Sequence, residues 1–117
     1  MALKRKATSV IVASTSASAP TSILAASSTV TRYIRSIHPT NNDSSARTWN
    51  LEYGSSTLTA ANSDVFGESI AANTRAYPIY YGGGGRRIDN VQISAFASAA
   101  SVVMLDVVYD ESDTVDA

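Results

Sequence analysis

The sequence contains no cysteine and a single histidine, His38. The lack of cysteine excludes disulfide bonds, thiol nucleophiles and thiolate metal sites. One histidine cannot build a histidine-rich metal site within one chain. Charged residues are also scarce, at 16%, and nine Lys and Arg against ten Asp and Glu give a net charge of −1. This balance predicts neither nucleic-acid binding nor the capture of acidic substrates.

Long hydrophobic runs are missing as well. The basic cluster Lys4, Arg5 and Lys6 is followed by an apolar stretch that ends before Ser14, which is shorter than the ~7–15 residues of a signal-peptide core. No stretch approaches the ~18 apolar residues of a transmembrane helix. We therefore expect neither a secretory signal nor a membrane span.

Glu and Lys, the common residues of exposed helices, are nearly absent, whereas Ser and Thr make up about a quarter of the 117 residues. This composition disfavours helices. Apolar and polar residues alternate over 47–53, 91–95 and 102–109, which predicts strands. Weaker strand candidates lie at 8–13, 30–37, 55–59 and 75–81. The Ala-rich segment 96–104 is the one helix competitor, and its first half is interpreted as a turn.

Asn-, Asp- and Gly-rich loops separate these strands, a pattern typical of antiparallel sheets. The chain is long enough for one domain. We expect an all-β fold with a single antiparallel β-sandwich or jelly-roll-like domain over residues 29–109. Residues 1–28 are expected to form an extended N-terminal arm or first strand. Residues 110–117 are expected to form a short acidic C-terminal tail, solvated or paired with the basic cluster of the same or a neighbouring chain.

No motif in the sequence indicates catalysis. His38 precedes Pro39, no G-x-S-x-G elbow is present, and a structural role for His38 is favoured over a Ser/His/Asp site. The acidic residues are too dispersed for a calcium loop or a paired-carboxylate site. We predict a protein that is not an enzyme, with no catalytic, cofactor-binding or metal-binding residues and no cofactor.

The most conspicuous local feature is the glycine run at 82–85, followed by Arg86 and Arg87. Glycine amides beside two guanidinium groups are able to hold a phosphate, but no Lys-Ser/Thr and no predicted helix follow. A flexible hairpin loop ending in a solvated arginine pair is the favoured interpretation, and an arginine contact with a partner's carboxylates is the alternative. Tyr80 and Tyr81 precede the loop, and Tyr and Arg are enriched at protein interfaces. The candidate protein-contact residues are Lys4, Arg5, Lys6, Tyr80, Tyr81, Arg86 and Arg87.

The segment 29–38 (TVTRYIRSIH), then Asn41 and 47–54 (RTWNLEYG), resembles small β-sandwich virion proteins of tailed bacteriophages. The middle segment 77–79 (YPI) and the loop 82–87 (GGGGRR), which leads to 91–95 and 103–109, continue the likeness. The resemblance covers roughly residues 29–109. It implies a virion structural role and carries no catalytic residues.

The leading hypothesis is accordingly a non-enzymatic virion protein, a capsid decoration or cement protein bound to neighbouring capsid subunits. It implies assembly in the host cytoplasm, other virion proteins as partners, homo-oligomers, and no nucleic-acid or membrane partner. In this hypothesis Tyr33, Trp49 and Tyr53 belong mainly to the core. The alternatives are a neck, collar or tail accessory protein, a carbohydrate- or receptor-binding module that stacks ligands on Tyr80, Tyr81 and Trp49, and a small hydrolase that uses His38 with a serine.

Overall fold

A computed structural model describes residues 3–54 and 63–112, and within these ranges the chain is entirely β, without a helix. All strand pairs are antiparallel and form two sheets that share one core. The strands are β1 (Leu3–Ile11), β2 (Thr21–Leu24), β3 (Thr31–Asn41), β4 (Arg47–Tyr53), β5 (Val65–Ile70), β6 (Thr74–Arg75), β7 (Ile79–Tyr80), β8 (Arg86–Asp89), β9 (Ile93–Ala97) and β10 (Val103–Ser112). This arrangement confirms the predicted all-β sandwich.

The larger sheet has six strands, with β10 and β3 at its centre. On one side, β1 pairs with β10 without a register shift, from Leu3 opposite Ser112 to Ile11 opposite Met104. On the other side, the short strands β6, β7 and β8 pair with successive parts of β3. The sheet therefore has one continuous edge, β1, and one edge assembled from three short strands.

The smaller sheet has the order β2-β9-β4-β5. Its two edge strands are irregular, because the β2–β9 and β4–β5 registers each contain a shift. In β5, Gly67 has a positive φ of 65°, a conformation that favours glycine and interrupts a regular strand.

The core lies between the sheets and follows the alternation in the sequence. Trp49 and Leu51 of β4 are fully buried, as are Leu105 and Val107 of β10, whereas Asp106 between them is half-buried. Each fully buried large aliphatic side chain contributes roughly 1.5–3 kcal/mol of transfer free energy. The prediction that Trp49 belongs to the core is confirmed. Tyr53 is half-buried and packs against the core, while Tyr33 is half-buried but does not belong to it.

Both ends of the described chain are built into the sandwich. Leu3–Ile11 is a sheet strand, Val12, Ile23 and Leu24 are buried in the core, and Val103–Ser112 includes the first residues of the expected tail. The extended arm and the acidic tail are therefore not confirmed. Residues 113–117 lie outside the described residues.

Several predicted strands differ in position. The candidate at 8–13 is the C-terminal part of a longer β1, and the candidate at 75–81 is divided between β6 and β7. The segment 96–104 contains the end of β9, a turn with Ser101 at a φ of 61°, and the start of β10. Three short strands, β2, β5 and β8, were not predicted. The candidate at 55–59 lies outside the described residues.

Candidate contact site

The seven predicted contact residues lie on opposite edges of the six-stranded sheet. The basic cluster is on β1, while the tyrosines and arginines lie on or beside β7 and β8. The sequence pattern left the basic residues on an extended arm or a first strand. The structure places them on a strand whose other side pairs with no strand among residues 3–54 and 63–112.

Every side chain of β1 is exposed or half-buried. Leu3 and Ile11, at its two ends, retain 53% and 56% of their accessible surface. Backbone N–H and C=O groups on the outer side of such a strand are able to pair with an added strand. The exposed side chains and backbone together make β1 a candidate contact surface.

Ion pairs hold the basic half of β1 against β10. Arg5 Nε lies 2.5 Å from an oxygen of Asp110, and Lys6 Nζ lies 2.8 Å from Glu111, which also accepts a hydrogen bond of 2.9 Å from Arg32. The predicted pairing of the acidic end with the basic cluster is thus present within one chain. Lys4 lies opposite Glu111 in the register and is exposed.

These contacts shift the pKa values of Glu111, Arg5 and Lys6. Burial alone raises the pKa of Glu111, but the hydrogen bonds from Lys6 and Arg32 outweigh it, so the pKa of Glu111 is lowered. The hydrogen bond with Asp110 raises the pKa of Arg5, and the hydrogen bond with Glu111 raises that of Lys6. The pKa shifts of Glu111, Arg5 and Lys6 all favour the charged form, so these pairs fasten β1 to β10 at neutral pH.

On the opposite edge, Arg86 belongs to an aromatic cluster. Its guanidinium lies 3.7 Å from the centroid of the Tyr53 ring and 3.1 Å from Asp64. Tyr53 donates a hydrogen bond of 2.9 Å to the hydroxyl of Tyr81, and the two rings meet edge to face. Burial, together with this hydrogen bond, raises the pKa of the Tyr53 phenol far above its usual range. Burial alone would lower the pKa of the Arg86 guanidinium, but the hydrogen bond with Asp64 and its negative charge outweigh this effect. The pKa of Arg86 is therefore raised.

The interpretation of Arg86 and Arg87 as one solvated pair is wrong for Arg86. It lies over the ring of Tyr53, which belongs to β4 of the other sheet, a contact that sequence order does not reveal. Arg87 is exposed and pairs with Asp89 at 2.9 Å. The two guanidinium groups thus bind different carboxylates, Asp64 and Asp89.

Tyr80 and Tyr81 point in different directions, as adjacent strand residues do. Tyr80 is 72% exposed and stands edge-on to His38, whereas Tyr81 is half-buried against Tyr53. Trp49 is fully buried, so its predicted use as a stacking platform is wrong. Tyr77 is 94% exposed. It borders an open cleft of about 360 Å³ that Glu68, Ile70 and Arg75 also line.

His38 lies on the outer face of the six-stranded sheet, with its Nε2 2.9 Å from the hydroxyl of Ser36. Asp106 is opposite His38 in the β3–β10 register, but its carboxylate accepts a hydrogen bond from Ser9. Ser36 is only 6% exposed, which hinders attack on a substrate. A hydrolase built on His38 remains a prediction, and an unchanged rate in H38A for any assayed hydrolysis would contradict it.

Within the described ranges, no cluster of three or more His, Asp or Glu side chains is arranged to hold a metal ion. No helix in those ranges has the length and hydrophobicity needed to cross a membrane. The sequence matches no protein-family model, and no curated protein matches it significantly.

Proposed function

We propose that this protein is a non-enzymatic structural protein of a tailed-bacteriophage virion, a capsid decoration or cement protein that binds neighbouring capsid subunits. One observation carries the assembly role: large apolar or aromatic side chains are exposed beside three different sheet edges. They are Leu3 and Ile11 on β1, Phe66 on β5, and Tyr77 and Tyr80 beside β6 and on β7.

Three such edges favour contacts with several neighbours over one ligand pocket. Exposed apolar groups next to unpaired backbone groups supply both burial and hydrogen bonds to an adjoining chain. The low content of charged residues also favours assembly, because interface cores are depleted of Lys, Glu and Asp. Once one contact has docked a subunit, its other weak contacts form at a high effective concentration. Together they hold the subunit more tightly than any one of them could alone.

The test is quantitative mass spectrometry of phage particles purified by density gradient from the culture that expresses the gene. A decoration or cement role requires the protein to co-purify at a copy number comparable with that of the major capsid protein. The neck, collar or tail alternative requires only a few copies per particle. Absence of the protein from purified particles would contradict both versions of the proposal.

A carbohydrate- or receptor-binding module is a second candidate, favoured by the exposed ring of Tyr77 beside the cleft. Aromatic rings and a few polar groups are common in sugar sites, and Glu68 and Arg75 line the same cleft. Titration of the isolated protein with an oligosaccharide panel, followed by Tyr fluorescence, tests this role. Binding that Y77A abolishes and Y80A retains would favour the module over the virion protein.

A further inference from the structure

We propose that β1 is the pairing site for β1 of a second copy of this chain, in an antiparallel two-fold arrangement with Ala7 opposite Ala7. The two six-stranded sheets then continue into one another. This inference goes beyond the proposed virion role, because it concerns a contact between identical copies that forms without any other virion protein.

The regularity of β1 distinguishes it from the other strand edges. It offers nine residues in one unbroken register. The opposite edge of the same sheet consists of strands of two, two and four residues. In the smaller sheet, β2 has four residues and β5 contains a register shift and the positive-φ Gly67. Among residues 3–54 and 63–112, β1 is therefore the edge that offers a partner strand the longest unbroken register.

The distribution of charge along β1 identifies the partner. Its basic residues, Lys4, Arg5 and Lys6, all lie in the first half, and the second half, residues 8–11, is uncharged. An antiparallel copy centred on Ala7 places each basic residue opposite Val10, Ser9 or Thr8. A parallel copy in register would place like charges side by side, which is unfavourable. The antiparallel orientation thus keeps the basic residues from lying directly opposite one another.

The same register brings the exposed apolar ends together. Leu3 of one copy lies opposite Ile11 of the other, and the two-fold axis repeats this pair. Odd-numbered residues of β1 share one face of the sheet, so Leu3 and Ile11 are on the same face. Both side chains, each more than half exposed in the single chain, lose accessible surface on pairing.

Cysteine cross-linking tests the register, since the chain has no cysteine of its own. Directly opposed Cβ atoms in antiparallel strands lie about 4.5–5.5 Å apart, close to the spacing of a disulfide. The variant A7C is expected to form a cross-linked dimer under mild oxidation. The matched control S9C lies on the same exposed face, but its two copies would be about 13 Å apart, and it is expected to remain monomeric on a non-reducing gel.

A charge variant tests the same register without cross-linking. S9K places an ammonium opposite Arg5 of the second copy but beside Asp106 of its own chain. We expect it to weaken dimerisation by about two- to thirtyfold without loss of folding stability. The matched variant S22K on β2, an exposed serine on the other sheet, is expected to leave dimerisation unchanged.

Sedimentation equilibrium measures dimerisation, and circular dichroism verifies that each variant retains a β-sheet spectrum. A dimer with cross-linking in A7C and not in S9C supports the inference. Equal cross-linking of the two variants, or monomers at every concentration without cross-linking in A7C, overturns it. The particle assay is independent: a monomer that co-purifies with virions refutes only the pairing, and a dimer absent from virions refutes only the virion role.

Discussion

The two edges of the six-stranded sheet are built in contrasting ways. One edge is β1, nine consecutive residues fastened to β10 by an unbroken register and by ion pairs. The other consists of β6, β7 and β8, which reach β3 separately and are connected by loops, one of them the glycine run. The continuous edge has exposed side chains, whereas the divided edge buries part of its own in the Tyr53–Arg86 cluster.

This contrast indicates how each edge is stabilised and used. The divided edge depends on particular backbone conformations and side-chain contacts, so single substitutions there are expected to cost stability. The continuous edge depends on many equivalent pairings, so single substitutions are expected to cost little stability and to act on association instead.

Replacing Gly85 is expected to damage the divided edge most. Gly85 has a φ of 105°, and an added Cβ would lie 2.9 Å from the carbonyl oxygen of Ile34. Because that atom belongs to the backbone of β3, a side-chain movement cannot relieve the contact. G85A is expected to lower the free energy of unfolding by about 3 kcal/mol, measured by urea denaturation.

Gly83 provides the matched control in the same loop. It also has a positive φ, 64°, but an added Cβ meets no atom within 4 Å. G83A is expected to cost only about 1–2 kcal/mol, from backbone strain alone. Equal losses in the two variants would show that contact between the loop and β3 does not define this edge.

Removing Arg86 is expected to have an intermediate effect. R86A loses both the stacking on Tyr53 and the pairing with Asp64, and should reduce the free energy of unfolding by about 1–2 kcal/mol. R87A removes a neighbouring exposed arginine and should change it by less than about 0.5 kcal/mol. A similar loss in both variants, in the same urea assay, would contradict the separate roles assigned to the two arginines.

On the continuous edge, neutralising Glu111 is expected to have a small and pH-dependent effect. E111Q weakens the contacts with Lys6 and Arg32 and should cost less than about 1 kcal/mol at pH 7. Because the folded-state pKa of Glu111 is lowered, its stabilisation is complete above the ordinary glutamate value of about 4.3. It is lost as the pH falls through the lower folded-state pKa.

Urea titrations of the unaltered protein and E111Q between neutral and acidic pH measure this dependence. The stability difference is expected to shrink as the solution becomes acidic. A difference that is constant with pH would indicate that Glu111 contributes by packing and not by its charge.

The strands that could be predicted from the sequence are those in which apolar and polar residues alternate without interruption. Trp49 and Leu51 alternate with polar residues, and β4 has the predicted bounds. Other strands were missed for local physical reasons. Gly67 and Glu68 make β5 resemble a turn, and the charges of Arg86 and Arg87 hide β8 among loop residues.

Edge position explains why the sequence left the N-terminal segment open between an extended arm and a first strand. Lys4, Arg5 and Lys6 resemble a solvated charge run, but charged side chains also occur on edge strands. Only the partner, β10, shows which interpretation applies, and it lies about a hundred residues away in the chain. The contact of Arg86 with Tyr53 and Asp64 was unpredictable for the same reason, because no local pattern encodes it.

β1 is an integral strand of the sandwich, and we propose that its outer side pairs with a second copy. Amide hydrogen exchange of Leu3–Ile11, measured by NMR at low and high protein concentration, tests it most directly. In antiparallel sheets every second residue directs its N–H toward a given neighbour. The account predicts that alternate β1 amides are protected in dilute solution and that the intervening ones become protected as concentration rises. Rapid exchange of the whole strand at both concentrations, as in an unstructured arm, would contradict it.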